Sequence, residues 1–275
     1  MINWQIHPIA TIEGFQINLH ETIMVFAFLL ATVLFGLKAK KEGIEIKHIF
    51  NLSVFIFLGG LFGSHSIHVL LHPEFLTYHP TFLDKFIEIF AFWRGGLTSY
   101  GAIIVPFFLI LIYAWRNKNL RFGKVADIIS PFIALGFAVQ RVGCFLNGCC
   151  FGKPTKLPWG VIYNPDSPAG FIYGEVPLHP TQLYLLIGNL FIFLILLNLG
   201  KIKNKIKLIN FEGSVFLAFL ILFSIERFFI NFLRHSSPDE PYIGFLSRGQ
   251  IFCAFIFYIS IYFLIKNQKK DIKKI

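Results

Sequence analysis

Arg141 and Arg227 are the residues whose chemistry most needs explaining. Arg141 opens the stretch Arg141-Val142-Gly143-Cys144-Phe145-Leu146-Asn147-Gly148-Cys149-Cys150-Phe151-Gly152, and the apolar run from Ile128 has not ended when it appears. Arg227 sits beside Glu226 inside another long apolar run. A guanidinium in such surroundings is costly, so it faces a polar cavity and holds something negative. An ion pair with Asp127 or Glu226 is one reading. Two arginines beside glycines, which let a ligand approach backbone N–H groups, favour a phosphate. In a membrane the simplest such anion is a phospholipid headgroup.

Other polar residues recur in short motifs. Gly95-Gly96-Leu97-Thr98-Ser99-Tyr100-Gly101 is a loop that enters a helix, where N–H groups can face an oxyanion. A phenol ordinarily titrates near about 10, so Tyr100 serves more readily as a hydrogen-bond donor than as a base. His179-Pro180-Thr181-Gln182-Leu183-Tyr184 reads as a helix start with proline in its first turn. Cys144, Cys149 and Cys150 are open to three readings: nucleophile, metal ligand or packing residue. Packing or redox sensitivity is favoured, because buried thiols are commonly inert. With Cys253 they lack paired Cys-x-x-Cys units and form no evident disulfide framework, so neither a metal nor a cofactor is expected. His65 and His68 fit interhelical hydrogen bonds better than a proton relay.

The elements that must position these groups are membrane helices. Of 275 residues, 55% are hydrophobic and 15% charged, well short of the roughly 25% charged in soluble domains. The hydrophobic residues fall in long runs. Seven spans are expected: 22–37, 49–71, 102–115, 125–146, 179–199, 213–233 and 249–265. The lead 1–20 alternates too weakly to be a strand, and no cleavable signal peptide is evident in it. Residues 82–93 read as a short amphipathic helix along the membrane surface. Gly59, Gly60, Gly63 and Ser64 permit close helix contact in the second span. Residues 147–178, rich in Gly, Pro and Tyr, read as an ordered lobe outside the membrane.

Charge sets the orientation. The net charge is +10, which in another chain would suggest nucleic acid. Here most of the 25 Lys and Arg residues lie in alternate connections: Lys38 to Lys47, Arg116 to Lys124, Lys201 to Lys207 and Lys266 to Lys274. That side is cytoplasmic, which puts the amino terminus outside. The chain thus reads as an all-α polytopic membrane protein, a single integral-membrane domain over 1–275. Its polar motifs gather at the outer ends of the spans. A transporter would instead carry polar residues along a path near the midplane.

Together the motifs resemble the prolipoprotein diacylglyceryl transferase family, in its tyrosine and Gly-Cys-Cys form. The matching residues are Gly95 to Gly101, Arg141 to Gly148, Phe151-Gly152, His179 to Tyr184, Glu226-Arg227-Phe228 and Arg234. Their order, their spacing and the seven-span layout match over most of the chain. The resemblance implies transfer of the diacylglyceryl group of phosphatidylglycerol to the cysteine thiol of a preprolipoprotein lipobox, with release of glycerol phosphate, in a bacterial cytoplasmic membrane. It implies catalytic roles for Arg141, Arg227 and Tyr100. It implies substrate binding by His20, Gly96, Ser99, Gly101, Asn147, Gly148, Gly152, His179, Gln182, Tyr184 and Arg234. The partners implied are phosphatidylglycerol, preprolipoproteins and the bilayer, without nucleic acid. The nucleophile belongs to the substrate.

The chain departs from the family pattern at several positions. Tyr100 stands where many members have histidine, Cys144 where asparagine is common, and Asn231 where an acidic residue is usual. His20, Leu61 and Leu185 replace a tyrosine, an arginine and a frequent glutamate. The acceptor of the thiol proton is therefore open among Tyr100, His20, His179 and water. These departures also leave a second class of function: a family paralogue that binds outer-leaflet phospholipid but acts on another acceptor, or a non-catalytic lipid-binding or transport protein.

Overall fold

The computed structural model describes residues 2–4, 9–12, 15–72, 81–91, 99–206, 209–235 and 242–272. Gly96 and the loop acids Asp239 and Glu240 lie outside the described residues, as do the side chains of Ser99 and Tyr100.

Helices dominate. They are α1 (Leu19–Lys41), α2 (Ile46–Leu71), α3 (Phe82–Phe90), α4 (Ser99–Arg116), α5 (Phe122–Leu146), α6 (Pro168–Tyr173), α7 (Thr181–Ile202), α8 (Ser214–Leu233) and α9 (Arg248–Ile272). Six of them, α1, α2, α5, α7, α8 and α9, are long and apolar enough to cross a membrane. The apolar stretch Gly101–Arg116 of α4 is shorter. The chain is a multi-pass membrane protein of all-α class.

Burial along the helices supports that class. Phe26, Leu29 and Val33 on α1, Phe191 and Leu194 on α7, and Phe255 and Tyr258 on α9 are all exposed. Large apolar faces left open on long helices are what a lipid solvent covers. The most buried spanning window belongs to α5, at 56% against 17–28% for the other five. The helix that carries Arg141 is thus the most enclosed.

Two compact units divide the chain: Met1–Phe35 with Ala126–Ile275, and Gly36–Val125. In the second unit α2 packs on α4 through small residues, the close helix contact that they permit. Gly63 and Gly101 bring the two backbones together so closely that neither has room for a side chain. Gly101 is therefore a packing glycine in this unit, whatever its other role. His65 Nε2 lies 2.9 Å from the carbonyl of Glu88, and Ser66 Oγ donates to Ile89 O at 2.9 Å. These bonds fasten α3 to α2 and use His65 as an interhelical contact. Thr81 caps α3 by accepting from Asp84 N.

In the first unit, α1 meets α5 where Gly136 faces Ala31 and Gly143 faces the backbone of His20. The lead segment does form strands, contrary to the weak alternation of its sequence. Ile9–Ile12 (β2) pairs antiparallel with Phe15–Asn18 (β3). Ile2–Trp4 (β1) pairs in parallel with Val161–Tyr163 (β4) of the segment 147–178. Hydrogen bonding to a partner strand supplies what side-chain alternation does not announce. Asn18 Oδ1 then accepts from His20 N at 3.0 Å and starts α1.

Asp127, which the sequence left available to an arginine, is committed elsewhere. It accepts from Lys203 Nζ at 2.7 Å and from the backbone N–H groups of Gly213, Val215 and Phe216 at 2.8–3.0 Å. A carboxylate there satisfies the orphan donors at the start of α8 and complements its dipole. In the segment 147–178, Phe151, Val161, Tyr163, Ala169 and Leu178 form a core with Phe145 of α5. Trp4 joins that core, its ring centroid 4.6 Å from that of Phe145.

Candidate functional site

The site begins where α5 ends. Gly148 turns the chain with φ +64°, and its Cα lies so close to Ser167 that a Cβ would come within 2.7 Å of that side chain. Cys150 holds φ 58°, rare outside glycine. The turn is held from the start of α7. Gln182 Nε2 donates to Cys149 O and Thr181 Oγ1 to Cys150 O, each at 2.7 Å. Tyr163 OH donates to the remaining acceptor, Gln182 Oε1, at 3.0 Å. Burial pushes the Tyr163 phenol up, so it stays a neutral donor. The amide of Gln182 is thus committed to the turn.

Gly152 is a second fixed point. Its N–H donates to His179 O, and a Cβ there would meet His179 Cβ at 2.5 Å and Leu233 O at 2.7 Å. Gly152 bridges to Arg234, just past the end of α8. His235 stacks on Phe151 with ring centroids 5.1 Å apart, and its Nδ1 lies 2.9 Å from Tyr173 OH. The loop after α5, the start of α7 and the end of α8 are therefore one hydrogen-bonded assembly.

The charges of three guanidiniums act together there. Arg227 is close enough to Arg141 and Arg234 for their charges to act on it. Glu226 is the carboxylate that Arg141 and Arg227 both act on. Its Oε2 accepts from Asn189 Nδ2 at 2.9 Å. Buried Nε of Arg141 and Nη1 of Arg227 have no hydrogen-bond partner among the described residues. Buried donors of charged groups are seldom left so. Three guanidiniums against one carboxylate leave the site net positive.

The thiols lie along the same wall. Arg141 Nη1 is 3.8 Å from Cys144 Sγ, which is itself 3.8 Å from His20 Nε2. Arg234 Nη2 reaches Cys150 Sγ at 3.5 Å. Hydrogen bonds from the Cys144 and Cys149 thiols, then the charges of Arg234 and Arg141, hold the Cys150 thiol well below the ordinary range, against the opposing effect of burial. Asn147 reaches Cys149 with its side chain. His179 Nδ1 lies 3.3 Å from Tyr184 OH, which also accepts from Trp159 Nε1 at 2.8 Å. Burial lowers the His179 imidazole and favours its neutral form.

Of the expected site residues, Arg141, Arg227, Arg234, His20, Asn147, Gly148, Gly152, His179, Gln182 and Tyr184 fall in the unit built on α5. Ser99, Tyr100 and Gly101 belong to α4 in the other unit. Sequence reasoning passed over Gly188 and Asn189, which receive Glu226. An asparagine in the middle of an apolar span was the available signal for that pair. It also passed over His235 and Tyr173, for which adjacency to Arg234 was the only hint.

Fold and site together define a class: a multi-pass membrane protein with several guanidiniums gathered near the ends of α5 and α8. Comparison with known proteins makes the class specific. The family model described as prolipoprotein diacylglyceryl transferase matches residues 8–266, and the chain belongs to that family. It is 30% identical to the phosphatidylglycerol–prolipoprotein diacylglyceryl transferase of Clostridium tetani, over 90% of this chain and 92% of that protein. The identically named protein of Finegoldia magna is 31% identical over 96% of each chain. Clostridium perfringens has a transferase of this name, numbered 2, that is 31% identical over 89% of each.

Proposed function

We propose that this chain transfers the diacylglyceryl group of phosphatidylglycerol to the thiol of a preprolipoprotein lipobox cysteine. The bond between the diacylglyceryl carbon and the phosphate oxygen breaks as the carbon–sulfur bond forms. Glycerol phosphate leaves, carrying one more negative charge than it had as a diester. The observation that carries this reading is the set of Arg141, Arg227 and Arg234, with Arg141 Nε and Arg227 Nη1 buried and without a partner among the described residues. Preorganised donors aimed at a departing phosphate stabilise the transition state more than the ground state.

Arg227 and Arg141 bind the phosphate, and Arg234 adds charge from the rim. Gly148 and Gly152 set the backbone that lines the site, and Gln182 and Asn147 hold the thiol-bearing turn. His179, Tyr184 and His20 face the polar headgroup and the acceptor. Gly96, Ser99, Tyr100 and Gly101 take the roles that the family motif assigns them, with Tyr100 as a donor.

The topology proposed is seven spans in the bacterial cytoplasmic membrane. α4 is the short span, the amino terminus is outside and 147–178 is the outer lobe. Charge supports this orientation. Asp127 and Lys203 mark the lysine-rich end of the bundle. Arg141 lies on the same helix roughly 21 Å further along.

The test is direct. Purified protein is incubated with phosphatidylglycerol and a lipobox peptide, and the thioether product is sought by mass. A Cys-to-Ser peptide is the control. Product with the cysteine peptide alone, lost in Arg227→Ala, is expected. No product where an authentic family member works would overturn the reading.

A further inference from the structure

The thiol wall holds a group of atoms that the phosphate chemistry leaves unused. His20 Nε2, Cys144 Sγ and Cys149 Sγ all lie within 4.8 Å of one another. In a tetrahedral zinc site, bonds of about 2.0–2.3 Å put adjacent ligand atoms roughly 3.5–3.8 Å apart. The His20 to Cys144 separation is already 3.8 Å. We propose that His20, Cys144 and Cys149 form a three-ligand site for a thiophilic divalent cation, zinc above all, and that the acceptor's cysteine thiol takes the fourth position.

Each ligand is held from a different direction. Cys144 sits in the last turn of α5, Cys149 in the turn fastened by Gln182, and His20 in the first turn of α1, where Asn18 caps the helix. Cys144 is buried, while His20 and Cys149 are half-buried, which leaves one side of the group approachable. Cys150 also lies against the Cys144 and Cys149 thiols, but Arg234 binds it at 3.5 Å and it is not in the group that includes His20. Two thiolates, a neutral imidazole and a dication make a neutral centre. A third thiolate from the acceptor would leave it at minus one, and Arg141, with Nη1 3.8 Å from Cys144 Sγ, offsets that charge.

Three protein ligands with an open position is the arrangement of catalytic rather than structural zinc. A thiol that enters such a position is deprotonated by the metal, and its proton goes to solvent as it binds. The bound thiolate then attacks the diacylglyceryl carbon. Sulfur gains the carbon, the phosphate oxygen leaves with the electron pair, and no oxidant or reductant is needed. This assignment rests on the transferase reading above and supplies the thiol-activating group that reading lacks. Arg141 serves both halves of the site: Nη1 lies against Cys144, and Nε, buried without a partner among the described residues, is left for phosphate.

The experiment uses the whole protein in detergent, thiols reduced and metal first stripped by chelator. Zn(II) binding is measured by elemental analysis after equilibrium dialysis, and Co(II) is used as a spectroscopic probe. One zinc per chain is expected, with thiolate-to-cobalt charge-transfer bands and tetrahedral cobalt absorption. Addition of the lipobox peptide raises the charge-transfer band, whereas its Cys-to-Ser counterpart does not. Cys149→Ser and His20→Ala each weaken zinc binding by more than about 100-fold, beyond what loss of an outer partner costs. Cys253→Ser, distant in role, leaves binding unchanged. Zinc-dependent thermal stabilisation of the unaltered protein gives a reading that needs no variant to fold. Failure to bind zinc, cobalt bands indifferent to Cys149→Ser, or full thioether formation after chelation would each overturn the metal site. The last leaves the transferase reading intact, whereas absence of thioether with metal bound overturns the transferase reading alone.

Discussion

The carboxylate of Glu226 on α8 fills the space beside Gly188 on α7, where any other residue would place its Cβ. Asn189, the next residue on α7, donates to the same carboxylate at 2.9 Å. One glycine thus lets two helices share the acid on which the charges of Arg141 and Arg227 act. Gly188→Ala should push Glu226 out of register and lower stability by about 1–3 kcal/mol, the usual range for overpacking. Thermal unfolding in detergent would read the loss, and transfer rate would fall with it. Unchanged unfolding would show that α7 and α8 can separate freely.

Arg227→Ala should reduce thioether formation by about 10²–10³-fold, the range for loss of one oxyanion donor. Arg227→Lys keeps the charge but loses the planar fork, so it should recover only part of the rate. Rates at saturating phosphatidylglycerol would separate the two. Equal rates for Lys and Arg would mean that charge alone matters.

Asp127 acts at the other end of the bundle. It accepts three backbone N–H groups at the start of α8 together with Lys203. Asp127→Asn should therefore cost stability, by about 1–2 kcal/mol. The rate per folded molecule should stay unchanged, since the site lies far along the helices. A selective loss of rate would place Asp127 in the chemistry.

His179 supplies a pH signature. Its imidazole is lowered by burial from an ordinary 6.5, so the unfolded chain takes up the proton first as pH falls. Stability then rises with pH through the window just below 6.5 and levels off above it. His179→Gln should flatten that slope. Denaturation midpoints between about pH 5 and pH 7.5 span the ordinary imidazole range and would show it. An unaltered slope would assign the pH dependence to another group.

Gly152→Ala should damage the junction of loop, α7 and α8. The added Cβ meets His179 Cβ at 2.5 Å and Leu233 O at 2.7 Å, and Gly152 bridges to Arg234. A stability loss of about 1–3 kcal/mol is expected. A raised KM for phosphatidylglycerol should accompany it as Arg234 shifts. A normal Tm and KM would show that the junction yields.

Much of this protein was determined by its sequence alone. Six of the expected spans appear as helices long and apolar enough to cross a bilayer, because the length of an apolar run is a local property that lipid enforces. The special standing of Arg141 and Arg227 was legible for the same reason: a charge inside an apolar run is costly wherever the chain goes. The close approach of α2 to α4 followed from small residues at Gly59 and Gly63.

What only the tertiary structure decided concerns partners far apart in the chain. Asp127 could not be separated from an arginine partner by sequence, yet it caps α8, 86 to 89 residues away. The lead segment's alternation reads as too weak for a strand, yet 9–12 and 15–18 form strands because their stability lies in pairing. Gln182, read as a ligand-binding residue, also holds the turn at Cys149. His20 comes to Cys144 across 124 residues, so cysteine spacing by itself carried no sign of a third donor atom. Apolar runs and buried charges are properties of a segment. Hydrogen bonds and ligand groups are properties of pairs, and their members meet only when the helices pack.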